Sequence, residues 1–166
     1  MRFQDRQTGM YCMNKGWRFS GEPYSVLPMA REHGDIYLFA KAGGVKGPAA
    51  VDFDDSDWQE VTLPHDWVTR EPFSEQAHAN HGYKNRGCGW YRMGFLLDKQ
   101  DRDKQILLDF EGVTAEARIY VNGTLMKLQQ YTYNSFTVDM TDVANFGTIP
   151  NVIAVFIDGI SWEGWW

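Results

Sequence analysis

The sequence predicts an all-β protein, an antiparallel β-sandwich or jelly roll, and three observations carry that prediction. Apolar periodicity near 3.6 is almost absent, whereas alternation with period two recurs along the chain. The alternating stretches are broken by Gly, Asp, Asn and Pro at intervals of roughly 8–12 residues, the rhythm of a sandwich. Aromatic residues are abundant, with 7 Trp, 8 Tyr and 10 Phe making up 15% of the 166 residues. Such side chains favour strands and fill much of a small core, and their flat faces are also compatible with sugar binding.

The elements follow in chain order. Weak strands are expected at 17–19, 36–40 and 58–63. Residues 21–50 are irregular and rich in Gly and Pro, with Gly43-Gly44 and Gly47-Pro48, and read as a surface excursion. A strand over 89–97 puts Tyr91, Met93, Phe95 and Leu97 on one face, and one over 104–111 does the same for Ile106, Leu108 and Phe110. Residues 115–122 alternate most clearly: Ala115, Ala117, Ile119 and Val121 face one way, Glu116, Arg118, Tyr120 and Asn122 the other. Asn122-Gly123 follows, a hairpin signal because both residues accept positive φ, so 124–128 is the partner strand. Residues 135–140 alternate Phe136, Val138 and Met140 with Thr137 and Asp139. Residues 151–158 are apolar on both faces, as a central strand covered on both sides must be. Only 139–146 offers a helical turn, with Thr141 as its cap.

Length and charge narrow the function classes. A chain of 166 residues is one domain, 1–166. With 16 Lys+Arg against 22 Asp+Glu the net charge is −6, which argues against a nucleic-acid or anionic-membrane surface. No apolar run approaches the roughly 20 residues of a membrane span. Cys12 and Cys88 are too few for a disulfide framework and read as free thiols. The polar N-terminus has no signal-peptide h-region, and together these features favour a cytoplasmic location.

Motifs that carry chemistry are few in this sequence. The serine-hydrolase elbow, the phosphate loop and the dinucleotide fingerprint are absent, and no cofactor is implied. His78 and His81 lack partners at zinc-like spacing, so a polar loop is expected there and no metal. The Asp52, Asp54, Asp55, Asp57 run lacks the Gly and Glu of a calcium loop and reads as a solvated turn before Trp58. Asn122-Gly123-Thr124 matches a glycosylation sequon but is explained by the hairpin. Two loops stand out. Leu63-Pro64-His65-Asp66-Trp67 sets an imidazole beside a carboxylate after a strand, and the long loop 73–89 holds His78, Asn80, His81, Tyr83, Asn85 and Arg86. Polar loops on a rigid sandwich are common carriers of binding function.

These residues resemble the N-terminal sugar-binding domain of glycoside hydrolase family 2, and most of all its β-galactosidases. The resemblance rests on Asn14-Lys15-Gly16-Trp17-Arg18-Phe19, on Asp52-Phe53-Asp54-Asp55-Ser56-Asp57-Trp58 and on Val61-Thr62-Leu63-Pro64-His65-Asp66-Trp67. It continues through Gly87-Cys88-Gly89-Trp90-Tyr91-Arg92, then Phe110-Glu111-Gly112-Val113 onward to Val121-Asn122-Gly123. It ends with Tyr133-Asn134-Ser135-Phe136-Thr137-Val138-Asp139-Met140-Thr141-Asp142 and Asn151-Val152-Ile153-Ala154-Val155.

The resemblance implies a galactose-binding-domain-like jelly roll that packs on a catalytic (β/α)₈ barrel and lends loops to a pocket for terminal β-galactosides. β-Glucuronides and β-mannosides are the next candidate substrates. His65 and Asp66 are then expected to hydrogen-bond sugar hydroxyls, with Tyr83, Asn85 and Arg86 approaching the sugar from the second loop. A structural reading stands beside this one, in which Asp66 caps its turn and Trp67 packs the sandwich edge. Asp158 and Cys88 are expected to be structural.

Family members are retaining enzymes whose two glutamates sit about 5–5.5 Å apart on a barrel of roughly 250 residues. No Glu of this chain follows an Asn, as the family's catalytic dipeptide requires, so catalysis by these residues alone is not expected. An autonomous carbohydrate-binding module is the alternative. Two departures from the family pattern are residues 21–50, which are longer than its usual link, and the chain's stop at Trp165-Trp166. That stop leaves the closing strand outside the chain, so an open sheet edge near Trp162, Trp165 and Trp166, and self-association through it, are expected.

Overall fold

The computed structural model describes residues 3–5, 9–21, 45–114, 116–131 and 133–160. The strand expected at 36–40, Ala115, and Trp162, Trp165 and Trp166 lie outside these residues.

Ten short strands form the described fold. They are β1 (Phe3–Asp5), β2 (Met10–Cys12), β3 (Trp17–Ser20), β4 (Gln59–Val61), β5 (Cys88–Phe95), β6 (Leu107–Phe110), β7 (Glu116–Val121), β8 (Thr124–Gln129), β9 (Phe136–Asp139) and β10 (Asn151–Asp158). Six of them make one antiparallel sheet in the order β4-β3-β5-β10-β7-β8. β6 and β9 form a second sheet, and β1 pairs with β2. This is the jelly-roll sandwich predicted from alternation.

Alternation in β5, β7 and β10 distributes the two cores. Tyr91, Ala117, Ile119, Val121, Ile153, Val155 and Ile157 point inward and meet Leu108, Phe136 and Val138 from the smaller sheet and Met140 just past its end. Phe110 and Phe136 stack there at 4.8 Å. On the other face Trp90, Tyr120, Ala154 and Phe156 pack beneath a strap that includes Val45, Ala49 and Trp58. β10 lies between β5 and β7 and is buried from both sides, which explains its unbroken apolar run. At the far end of β10, the Asn122-Gly123 turn takes positive φ at both residues (48° and 76°), as the hairpin requires. The Asn122 side-chain N–H groups donate to Val143 O (2.7 Å) and to Asn151 Oδ1 (2.9 Å), so this amide is engaged inside the fold.

The strap is held by Arg92, whose alternation places it on the outer face although it is only 3% exposed. Its Nε donates to Asp55 Oδ2 at 2.9 Å, Nη1 to Pro48 O and to Ala50 O (2.9 Å), and Nη2 to Phe53 O at 3.4 Å. Arg18 adds donations to Asp55 O and Ser56 O at 3.1 and 2.9 Å. The acidic run before Trp58 is therefore not simply a solvated turn. Asp55 anchors a buried guanidinium because a charge taken from water must find a partner.

Other local expectations are corrected. The 104–111 strand narrows to Leu107–Phe110 because Lys104 N closes a turn onto Asp101 O at 3.0 Å. The stretches 89–97 and 58–63 become Cys88–Phe95 and Gln59–Val61. The turn at Thr141–Val143 is a 3₁₀ turn, with Met140 at the cap position in place of Thr141. Asp139 Oδ1 accepts the Thr141 N–H at 3.0 Å, while Thr141 Oγ1 accepts from Ile106 N. Further 3₁₀ turns occur at Gly47–Ala49, Val68–Arg70, Ala79–His81 and Lys99–Asp101, too short to register in an 11-residue periodicity.

Candidate functional site

The two loops singled out in the sequence meet at the end of the six-stranded sheet where β5 begins and β10 ends. Gly159 N donates to Gly87 O at 3.0 Å, which extends the strand contact past Asp158 and Cys88. A Cβ on Gly159 would stand 2.5 Å from Gly87 O and 3.7 Å from Trp67 Cζ2. Only glycine lets these backbones and the indole of the 63–67 loop approach so closely.

The 63–67 loop leaves β4 through a cis Leu63-Pro64 peptide. The His65 ring packs on Phe19 at 4.9 Å, and its Nδ1 lies 2.8 Å from Tyr91 Oη, which also reaches His65 O at 3.3 Å. Burial first, and then the Arg70 charge, hold the imidazole below its ordinary pKa, against the opposing pull of Asp66. Neutral at neutral pH, His65 is suited to hydrogen bonding. Burial, reinforced by Asp66, raises the Tyr91 phenol well above its usual value. Asp66 Oδ1 accepts Val68 N–H at 2.9 Å while its carbonyl accepts from Thr69 Oγ1 at 2.7 Å. Trp67 stacks on Phe19 at 5.2 Å. Both structural roles named from the sequence, the capped turn and the packed indole, are thus present; the exposed Asp66 carboxylate also stands at the surface.

Residues 73–87 fold back on themselves. Phe73 bridges Lys84, Ser74 N donates to Tyr83 O at 2.8 Å, and His78 Nδ1 accepts Asn80 N–H at 3.2 Å as the cap of a 3₁₀ turn. Tyr83 follows in the left-handed region (φ 57°), and the residue is 52% exposed. Lys84 Nζ donates to Thr69 O at 2.6 Å and ties this loop to the first. Asn85 is exposed and Arg86 half-buried. Burial lowers the Arg86 pKa, and the Tyr133 phenol opposes that shift. Its Nη2 is solvent-excluded and has no hydrogen-bond partner. Among the described residues no group of three His, Cys, Asp or Glu is placed to hold a metal, and the His78 and His81 rings stand 5.5 Å apart.

Asp158 Oδ1 accepts Ile160 N–H at 2.9 Å and faces Cys88 Sγ at 3.6 Å. Burial and then the Asp158 charge push the thiol up to about 11, so Cys88 is a neutral packing group and not a nucleophile. Glu116 pairs with Arg118 at 3.0 Å in the neighbouring strand. The geometry therefore assembles hydrogen-bonding groups and aromatic faces at one sheet end.

Sequence reasoning passed over one surface at this end. Tyr131 and Tyr133, between β8 and β9, are 64% and 62% exposed. Their spacing just past a strand end, Gln129-Gln130-Tyr131-Thr132-Tyr133, is the signal that was available.

Residues 49–164 match the family "Glycosyl hydrolases family 2, sugar binding domain". The β-galactosidase BoGH2A of Bacteroides ovatus is 34% identical over 139 residues, 81% of this chain and 16% of that protein. A β-glucuronidase of Formosa agariphila is 32% identical over 111 residues, 65% of this chain and 11% of that protein. The crystal structure of a β-glycosidase from Bacteroides vulgatus superposes with a TM-score of 0.72 at 25% identity, covering 92% of this chain and 17% of that one. The chain thus spans about a sixth or less of the length of these relatives. With the family matched over most of its residues, the chain belongs to glycoside hydrolase family 2, within that family's sugar-binding domain.

Proposed function

We propose that this domain serves a retaining family 2 glycosidase, packing against the catalytic barrel and lending its 63–67 and 83–86 loops to the rim of a pocket that takes terminal β-galactosides. The observation that carries the reading is the family match over residues 49–164, together with 34% identity to a β-galactosidase of which the chain covers 16%. His65, Asp66, Tyr83, Asn85 and Arg86 are the proposed sugar contacts, each a hydrogen-bonding group on one of the two loops at a single sheet end. The acid/base and nucleophile glutamates are assigned to the barrel, because they must face each other at about 5–5.5 Å on rigid strands.

The test is to express the complete open reading frame that carries these residues and measure hydrolysis of aryl β-galactoside, β-glucuronide and β-mannoside. The highest kcat/KM is expected for the galactoside; the absence of glycosidase activity, or activity on another glycoside alone, contradicts the reading. In the same enzyme Asp66→Ala is expected to lower kcat/KM by about ten-fold or more. A change within about two-fold alongside lower stability would leave Asp66 only its turn-capping role.

A further inference from the structure

We propose that Tyr91 is a positioning residue that holds His65 in its neutral Nδ1–H tautomer, so that the imidazole offers an unprotonated Nε2 to a sugar hydroxyl. This rests on the reading of His65 as a sugar contact and adds the chemistry of that contact. The rim is matched to hydroxyl donors, and not to ligand oxygens that lack a proton.

Tyr91 lies on β5 opposite Phe19 of β3 and Val155 of β10, and it is buried, so its phenol is fixed by the sheet. Its Oη meets two groups of one residue, His65 Nδ1 at 2.8 Å and His65 O at 3.3 Å. A phenol has a single proton to donate. Burial, and then the Asp66 charge, keep that proton on Tyr91. A carbonyl oxygen can only accept, so the contact with His65 O is a hydrogen bond only when the phenol donates to it. Oη is then left as the acceptor for Nδ1, and Nδ1 must carry the ring proton. The reverse arrangement, with Tyr91 donating to Nδ1, makes one hydrogen bond in place of two. It also sets the lone pairs of Tyr91 Oη and His65 O against each other at 3.3 Å.

Aromatic contacts hold the imidazole in this pose. Phe19 packs on it edge-on at 4.9 Å and 62°, and the Tyr91 ring does so at 5.7 Å and 71°. Burial and the Arg70 charge outweigh Asp66 and keep the ring below its ordinary pKa, so at neutral pH one of its nitrogens has no proton. With Nδ1 protonated, that nitrogen is Nε2. It makes no hydrogen bond among the described residues and, unlike Arg86 Nη2 and Trp90 Nε1, is not sealed from solvent. The neighbouring Asp66 carboxylate spends Oδ1 on the Val68 N–H and stands exposed. Two successive acceptors on one loop suit two hydroxyl groups of a pyranoside, each of which has a proton to give.

The tautomer is read from the two-bond ¹H–¹⁵N correlations of ¹⁵N-histidine. The chain has only 4 histidines, so His65 is assigned by the signals lost in His65→Gln. At neutral pH the chain Met1–Trp166 is expected to show a protonated Nδ1 and an unprotonated Nε2 at His65. An Nε2–H form there overturns the proposal without any variant having to fold. Tyr91→Phe removes only the hydroxyl and is expected to move the ring to the Nε2–H form or to a mixture. An unchanged pattern in folded Tyr91→Phe also overturns it. In the complete enzyme, Tyr91→Phe is expected to lower kcat/KM for an aryl β-galactoside about five-fold, and His65→Leu by at least as much. His65→Gln, whose amide oxygen accepts in place of Nε2, should recover part of that loss. If the tautomer is as stated while all these variants stay within about two-fold of the parent, the hydroxyl contact at His65 is overturned and the wider sugar-pocket reading stands. A complete enzyme that cleaves no glycoside overturns the sugar-pocket reading and the hydroxyl contact together, an outcome separate from the tautomer measured on the chain.

Discussion

Arg92 shows how one residue can serve a role that its type conceals. A period-two pattern assigns it to the outer face of β5, where an arginine is ordinarily solvated. Here the outer face is covered, and the guanidinium reaches Asp55 and the carbonyls of Pro48, Ala50 and Phe53 from an almost fully buried position. Replacing it by Met keeps the stem's packing but leaves three carbonyls without their donor and the Asp55 carboxylate with only the longer Arg18 ion pair at 3.6 Å. Arg92→Met is expected to destabilise the fold by about 3 kcal/mol or more, measured by urea unfolding. Arg92→Lys should recover only part of this, since an ammonium cannot reproduce the planar fork. A loss below about 1 kcal/mol would show that the strap does not depend on this anchor.

Among the elements, the end of the sandwich opposite the candidate site is secured by amides. Asn151, fully buried at the start of β10, accepts Asn145 N–H at 2.7 Å, donates to Asn145 O at 2.8 Å and accepts from Asn122 Nδ2 at 2.9 Å. This network joins the β7–β8 turn to the segment entering β10. Asn151→Leu preserves size and removes every one of these partners. Each orphaned buried group costs about 1–3 kcal/mol, so a total near 3 kcal/mol or more is expected. Hydrogen exchange should also accelerate at Asn122 and Val152 more than in the β6–β9 sheet; uniform acceleration would mean that the network is not local. The hairpin was legible from Asn122-Gly123 because its backbone preference is local. The Asn145 and Asn151 contributions were not, since a buried asparagine carries no sequence signature apart from its partners.

Over the whole molecule, β10 is the wall shared by two cores, with Ile153, Val155 and Ile157 on one side and Ala154 and Phe156 on the other. Ile153→Ala is expected to cost about 2–5 kcal/mol and Phe156→Ala about 3–5 kcal/mol, each in a single cooperative transition. If Phe156→Ala were nearly neutral, or unfolded in a separate step, the strap-covered face would not belong to the same folding unit as the inner core. The assignment of β5, β6, β7 and β9 followed from alternation, that of β8 from the Asn122-Gly123 turn and that of β10 from its unbroken apolar run, because each is a local pattern that survives any tertiary arrangement. The short 3₁₀ turns and the β1–β2 pair did not, for three-residue elements contain too few positions to display a period. The candidate loops were found as loops, but their meeting at one sheet end depends on β10 being placed beside β5.

What the residues determined unaided is the class of the fold, its family and the identity of its inner faces, since each is written in spacings of two and in contiguous motifs. Only the tertiary structure decided that Asp55 serves a buried Arg92 and that Gly159 admits Gly87 and Trp67 to one corner. These contacts join residues 37 to 92 positions apart, and their energies arise from burial and donor–acceptor geometry that no local pattern of side chains encodes.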